Sequence, residues 1–74
     1  LRKAKEDYPS LTETEKEILC LLADERSNME IADFMEISIN TVKFHIKNIY
    51  TKLKVKTRQQ AVRAAKENKL ISIR

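Results

Sequence analysis

The chain has 74 residues, a formal net charge of +4, no glycine and one proline. This length allows one small domain, and the absence of glycine excludes the glycine-rich loops that hold phosphate groups. One cysteine and one histidine, Cys20 and His45, exclude an internal disulfide and a metal site of the His/Cys type, so we expect no metal and no cofactor. No apolar run reaches the roughly 18 to 20 residues that span a bilayer, and no secretory signal is in view, so we expect a protein of the reducing cytoplasm without membrane contact.

The chain opens with a charged segment, residues 1–10, that is sparse in core-forming residues and has no start methionine. We interpret this segment as a linker or N-terminal extension of a longer protein, and residues 11–74 as the folded domain. Thr12 is followed three residues later by Glu15, which is the spacing of a capping box at a helix start. The first helix is therefore predicted to begin here and to end near residues 23–25.

A second capping box, Ser27 with Glu30, predicts a short second helix whose apolar residues recur at helical spacing. Ser38 is predicted to cap a third helix. Because the second helix is expected to end near Met35, only Glu36 and Ile37 separate it from that cap. Two helices joined so closely must cross steeply, as in a helix-turn-helix.

The third helix has the strongest periodic pattern, since four apolar residues follow the i, i+4, i+7, i+11 spacing of one buried face. These residues are Val42, Ile46, Ile49 and Leu53. The opposite face holds Asn40, Lys43, Phe44, Lys47, Thr51 and Lys54. A single exposed ring is common on protein surfaces and needs no function. Alternatively, Phe44 contacts thymine methyl groups, while Lys43 and Lys47 on either side of it donate hydrogen bonds to guanine or phosphate.

Charge is distributed unevenly along the chain. Residues 37–66 contain no Asp or Glu, and every acid except Glu67 precedes them. The basic residues of this run are Lys43, Lys47, Lys52, Lys54, Lys56, Arg58, Arg63 and Lys66. A run of positive charge is often only a solvated face, but combined with a helix-turn-helix it indicates a partner with a phosphate backbone.

Thr57 with Gln60 makes a third, box-like cap and predicts a fourth helix. Its alanines, at 61, 64 and 65, form a small-residue face suited to close helix contact. Asn68 is predicted to end this helix in the left-handed conformation. The tail residues Leu70, Ile71 and Ile73 are expected to cover the domain edge. The predicted fold class is all-α, a four-helix helix-turn-helix domain.

From Leu11 onward the order of residues resembles the LuxR/FixJ/GerE family of bacterial transcription regulators. The residues that carry the resemblance are Leu11, Thr12, Glu15, Glu17, Ile18, Leu19, Ser27, Asn28, Glu30, Ile31, Ala32, Ile37, Ser38, Thr41, Val42, Lys43, His45, Ile49, Lys52, Leu53, Val55, Arg58, Ala61 and Val62. The resemblance implies a domain that binds double-stranded DNA with its third helix in the major groove and acts as a homodimer on DNA through its fourth helix. RNA polymerase is a further candidate partner.

The resemblance also assigns roles to residues. Base reading falls on the exposed face of the third helix, at Lys43, Phe44 and Lys47, and Asn40 joins them because the helical period places it on the same face. Candidates for contacts to the DNA backbone, or for holding the helices in position, are Asn28, Thr41, Asn48, Lys52 and Arg58, with Thr51 added from the same exposed face. The family usually has glycine after the first and third helices, where this chain has Glu25 and Lys54. A left-handed Lys54 would be strained by roughly 1 kcal/mol.

Other functional classes fit the sequence less well. An enzyme would need a nucleophile with a base, paired carboxylates in a cleft or a cofactor loop, and this small glycine-free domain offers none of them. The promoter-reading region of a sigma factor also has a capped helix before a helix-turn-helix, but residues 52–62 and the fourth helix argue against it. A helical domain that binds only protein would be expected to carry acids on the outer face of the third helix.

The two singular residues have ordinary interpretations. His45 is expected on the flank of the third helix, where it makes a structural hydrogen bond or a phosphate contact rather than taking part in catalysis. Cys20 points away from the apolar stripe of the first helix. We interpret it as a surface thiol, or one packed against the linker, rather than a redox switch.

Overall fold

The computed structural model describes residues 11–70, and this part of the chain folds into four helices without a strand. They are α1 (Glu13–Ala23), α2 (Asn28–Met35), α3 (Ile39–Leu53) and α4 (Arg58–Glu67). The all-α fold class and the four predicted helices are confirmed. The proposed extension, residues 1–10, and the tail residues Ile71 and Ile73 lie outside the described residues.

The first two helices begin at complete capping boxes. The Thr12 hydroxyl accepts from the Glu15 backbone N–H at 3.1 Å, and the Glu15 carboxylate accepts from the Thr12 N–H at 3.0 Å. Ser27 and Glu30 make the same pair of bonds, at 3.1 and 2.9 Å. These bonds satisfy backbone donors that have no partner within the helix, which is why the two starts are readable from local sequence.

The other two helices begin at single caps. The hydroxyl of Ser38 accepts from the Thr41 N–H, and that of Thr57 accepts from the Gln60 N–H, both at 3.1 Å. The box-like prediction for α4 is only half confirmed, because the Gln60 side-chain oxygen accepts from Lys56, one residue before the cap. The predicted cap residues of all four helices are nevertheless the observed ones.

All four helices end in the same kind of turn. A residue with positive φ follows the helix, and the next backbone N–H donates to the carbonyl five residues before it. The positive-φ residues are Glu25 (62°), Glu36 (60°), Lys54 (60°) and Lys69 (55°). Glu25 and Lys54 thus take the conformation for which the family usually has glycine. Glu36 builds the tight turn between α2 and α3.

The prediction for the end of α4 is wrong. Asn68 has φ of −102°, and the left-handed position falls one residue later, at Lys69. The Asn68 side chain instead donates from Nδ2 to the carbonyl oxygen of Ala64 at 2.9 Å. Leu70 closes the turn by donating its N–H to the Ala65 carbonyl, and its side chain packs on the core.

The core forms where α1, α2 and α4 meet α3, which packs against each of the other three helices. Its buried residues are Ile18, Leu19, Leu22, Ile31, Ala32, Val42, Ile49, Leu53, Ala61, Ala64 and Ala65. Three of the four residues in the predicted α3 stripe are buried, while Ile46 is half-buried. The small alanines let α4 approach its neighbours closely. Within residues 11–70, every helix is too short or too polar to traverse a lipid bilayer.

Candidate nucleic-acid interface

The outer face of α3 is the basic surface that the periodicity predicts. Asn40, Lys43, Phe44 and Lys47 are all exposed, and together they form the outer face referred to below. Phe44 is 60% exposed, whereas Val42 on the opposite side of the helix is fully buried. One side of α3 therefore packs into the core. The other side presents two ammonium groups, an amide and a phenyl ring to solvent.

The ring of Phe44 has one aromatic neighbour. His45 meets it edge to face, with ring centroids 5.7 Å apart and an angle of 64° between the ring planes. His45 is half-buried on the flank of α3, where the sequence predicts it. Such edge-to-face pairs are favourable, so the contact restricts where the exposed ring can point.

A shallow groove extends the outer face toward α2. Asn28, the first residue of α2, lines it together with Lys43 and Lys47. Thr51 lines the same groove and donates from Oγ1 to the Lys47 carbonyl at 3.0 Å. The groove has a volume of about 310 Å³. The fold thus brings Asn28 and Thr51, two candidate backbone contacts, beside the two lysines.

Lys52 lies behind this surface and joins α3 to the start of α1. Its Nζ donates to Glu15 Oε1 at 2.6 Å, and the Glu15 side chain is only 5% exposed. Burial raises the pKa of Glu15. The hydrogen bonds from Lys52 and from the Thr12 N–H, together with the positive charge of Lys52, lower the pKa by more than burial raises it, so the pKa falls below its ordinary value. The sequence assigned Glu15 a capping role only, and this long-range ion pair was missed.

Arg58 makes a second connection, between α4 and the end of α1. Its guanidinium donates to the backbone carbonyls of Leu22, at 3.4 Å, and Arg26. Arg58 thereby joins the start of α4 to the last turn of α1 and to the turn that follows it. Arg58 also acts on Tyr50, whose pKa is raised by burial and held down in part by the nearby guanidinium.

The remaining candidates divide between fold and surface. The hydroxyl of Thr41 lies 2.9 Å from that of Ser38, so Thr41 belongs to the cap of α3. Asn48 is half-buried on the flank of α3. Of the six residues predicted to contact the DNA backbone or hold the helices, Lys52 and Arg58 thus bond to other parts of the fold, and Thr41 bonds within the cap of α3. Asn28 and Thr51 lie beside the lysines.

The family model described as bacterial regulatory proteins of the luxR family matches residues 9–65. The chain belongs to the LuxR family of bacterial regulatory proteins. Members of this family are DNA-binding transcription regulators and not enzymes. The family resemblance of the sequence is therefore confirmed, including the helix-turn-helix class of its fold.

Relatives within the LuxR family include response regulators. The chain is 49% identical over 71 residues to the response regulator protein VraR of Staphylococcus aureus, and equally to that of Staphylococcus epidermidis. The match covers 96% of this chain and 34% of each relative. The chain thus spans about a third of the length of these curated relatives.

Solved structures of similar fold include ChrA, GerE and VqmA. The response regulator ChrA of a heme-sensing two-component system superposes with a TM-score of 0.83 at 39% identity, covering 89% of this chain and 33% of ChrA. The transcription factor GerE gives 0.78 at 37% identity, covering 84% of this chain and 92% of GerE. VqmA of Vibrio cholera, solved with ligand and DNA, gives 0.76 at 28% identity, covering 92% of this chain and 30% of VqmA.

Proposed function

We propose that this LuxR-family domain binds double-stranded DNA sequence-specifically by placing α3 in the major groove. The observation that carries the proposal is the outer face of α3, which combines two exposed lysines with exposed polar and aromatic groups on a helix fixed from behind by the core. An α-helix fits the width of the major groove, and these side-chain types are the ones that read base edges there. Membership of a family of DNA-binding regulators supports the same partner.

Each side chain then has a chemical role. Lys43 and Lys47 donate to guanine or to phosphate, and Asn40 has the paired donor and acceptor that match adenine. Asn28, Thr51 and Asn48 are placed to contact the DNA backbone, which fixes register without reading sequence. Lys52 and Arg58 act by joining α3 and α4 to α1, and Thr41 acts within the cap of α3, as the bonds described above suggest.

Two copies are proposed to act together on DNA through α4. The alanine face of α4 is buried within its own domain, so a second copy meets the opposite face. That face carries Gln59, Arg63 and Lys66. Like charges on two approaching copies oppose association, so we expect a monomer in solution at micromolar concentration and pairing only on DNA, with half-sites about one helical turn apart.

The proposal extends to the longer protein of which this domain is a part. Residues 11–74 are its DNA-binding domain, and residues 1–10 are a linker or N-terminal extension. The regulator acts in the bacterial cytoplasm, where its DNA lies, and RNA polymerase is its further partner. Similarity to response regulators supports a role in transcription control.

A titration of fluorescently labelled duplex at several salt concentrations tests the DNA proposal. The logarithm of the affinity should fall linearly with the logarithm of salt concentration, with a slope of about −0.9 for each phosphate neutralised. An affinity that does not respond to salt, or the absence of any preferred sequence after selection from a random library, would refute it. Sedimentation with and without the selected duplex tests the pairing, and a tight dimer without DNA would contradict it.

Lys47→Ala identifies the role of this lysine in the same titration. A base contact predicts a loss of about 1 to 3 kcal/mol on the selected duplex with little change on random DNA. A phosphate contact predicts a similar loss on both, with a slope shallower by about one unit. Lys16→Ala is the matched control, because Lys16 is an exposed lysine of α1 and should leave both affinities almost unchanged.

A further inference from the structure

Phe44 is unusual among the exposed hydrophobic residues. Three large hydrophobic side chains in residues 11–70 are exposed, namely Met29, Phe34 and Phe44, and only Phe44 belongs to α3. It lies between Lys43 and Lys47 on the outer face, and its ring is held edge to face by His45. An apolar group is therefore presented in the middle of a surface that is otherwise polar.

A phenyl ring has no hydrogen-bond donor or acceptor with which to distinguish bases. In the major groove, the apolar group available to it is the methyl on C5 of thymine. The same methyl is present on 5-methylcytosine and absent from cytosine and uracil. Contact with this ring therefore distinguishes pyrimidines by the methyl group alone, without regard to whether the neighbouring ring position carries a carbonyl or an amino group.

We infer that Phe44, oriented by His45, reads the C5-methyl group of a pyrimidine, so that the domain accepts 5-methylcytosine where it prefers thymine and its binding responds to methylation of DNA. The inference rests on the proposed function and adds a chemical specificity to it. The edge contact with His45 favours one arrangement of the ring before DNA is bound, which reduces the order lost when the ring meets the methyl group.

The test uses the 74-residue chain and a duplex that it selects from a random library. Each thymine of the selected site is replaced in turn by uracil, and each is also replaced by a C·G pair with and without the 5-methyl group. At the position under Phe44, thymine should bind about fourfold more tightly than uracil, the value of one buried methyl group, and 5-methylcytosine about fourfold more tightly than cytosine.

Substitutions in the chain test whether these affinity ratios depend on the ring of Phe44. In Phe44→Ala both ratios should fall to about one, while the melting temperature stays close to that of the natural chain because the ring is largely exposed. Lys43→Ala should weaken binding but keep the fourfold ratios. His45→Ala should reduce the ratios without changing the salt slope, and ratios that remain at fourfold would overturn its positioning role.

Failure of the inference differs from failure of the proposed function. If no sequence is enriched from the library, specific DNA binding itself is refuted, and methyl reading with it. If a site is enriched but uracil binds as well as thymine at every position, methyl reading alone is overturned. Ratios that persist in Phe44→Ala would also overturn it, because the methyl would then act through DNA shape or another residue.

Discussion

Replacing Glu15 with glutamine should destabilise the domain without disturbing the outer face of α3. Glu15 Oε1 accepts from Lys52 Nζ at 2.6 Å and from the Thr12 N–H at 3.0 Å. The amide of glutamine keeps an acceptor oxygen but removes the charge. A hydrogen bond that involves a charged group contributes about 1.5 to 3 kcal/mol, against about 0.5 to 1.5 kcal/mol for a neutral one. We therefore expect Glu15→Gln to lower the free energy of unfolding by about 1 to 2 kcal/mol at neutral pH.

The lowered pKa of Glu15 predicts how its contribution to stability changes with pH. Burial raises the pKa of Glu15, and its hydrogen bonds from Lys52 and Thr12, together with the positive charge of Lys52, lower the pKa by more, so that the folded-state pKa lies below the ordinary value of 4.5. The unfolded chain therefore takes up the proton first as the pH falls. The stabilisation is fully present above pH 4.5 and is lost as the pH falls through the lower, folded-state pKa.

Urea denaturation followed by circular dichroism, at neutral and acidic pH, measures both effects. A loss of 1 kcal/mol should also lower the melting temperature by about 4 to 8 °C in a domain of this size. Glu13→Gln is the control: Glu13 is in the same first turn but 95% exposed, and its change should stay within about 0.5 kcal/mol. The reasoning fails if the two variants are equally stable, or if the gap between Glu15→Gln and the natural chain persists unchanged at acidic pH.

Two further substitutions test the helix ends by the same denaturation assay. Ser38→Ala should cost about 1 kcal/mol, because it removes the acceptor for the Thr41 N–H at the start of α3, and an unchanged stability would show that this cap contributes nothing. Lys54→Gly should stabilise the domain by about 0.5 to 1 kcal/mol, since it relieves a positive φ of 60° at the end of α3. Lys56→Gly, where φ is not positive, should destabilise instead, and stabilisation by both would contradict the argument from strain.

The starts of the helices were predictable because their determinants are local. Thr12, Ser27, Ser38 and Thr57 each bond a backbone N–H three residues later, so residue type and spacing suffice. The spacing of apolar residues was also sufficient to predict which side of α3 is buried. The end of α4 was harder to predict than its start, because residues other than glycine and asparagine can also be held in the left-handed conformation, at a cost in strain, as Lys69 rather than Asn68 shows.

In the candidate site, the exposure of side chains was predictable from the sequence, but the long-range contacts were not. Exposure of Lys43, Phe44 and Lys47 followed from helical geometry. The pairing of Lys52 with Glu15 did not, since these residues lie 37 positions apart and neither periodicity nor capping relates them. A count of basic residues in residues 37–66 therefore overstates the charge available to DNA, because part of it is used to join the helices.

The division of α3 into a packed side and an exposed side has a consequence for how such a domain can change. Val42, Ile49 and Leu53 anchor the helix, and substitutions there alter stability. Substitutions on the exposed side are expected to change stability by only about 0.5 kcal/mol. Under the proposed function, gene duplicates can acquire new operators through changes in the exposed residues alone, while the packed side of α3 stays intact, and an engineer can retarget the domain by the same route.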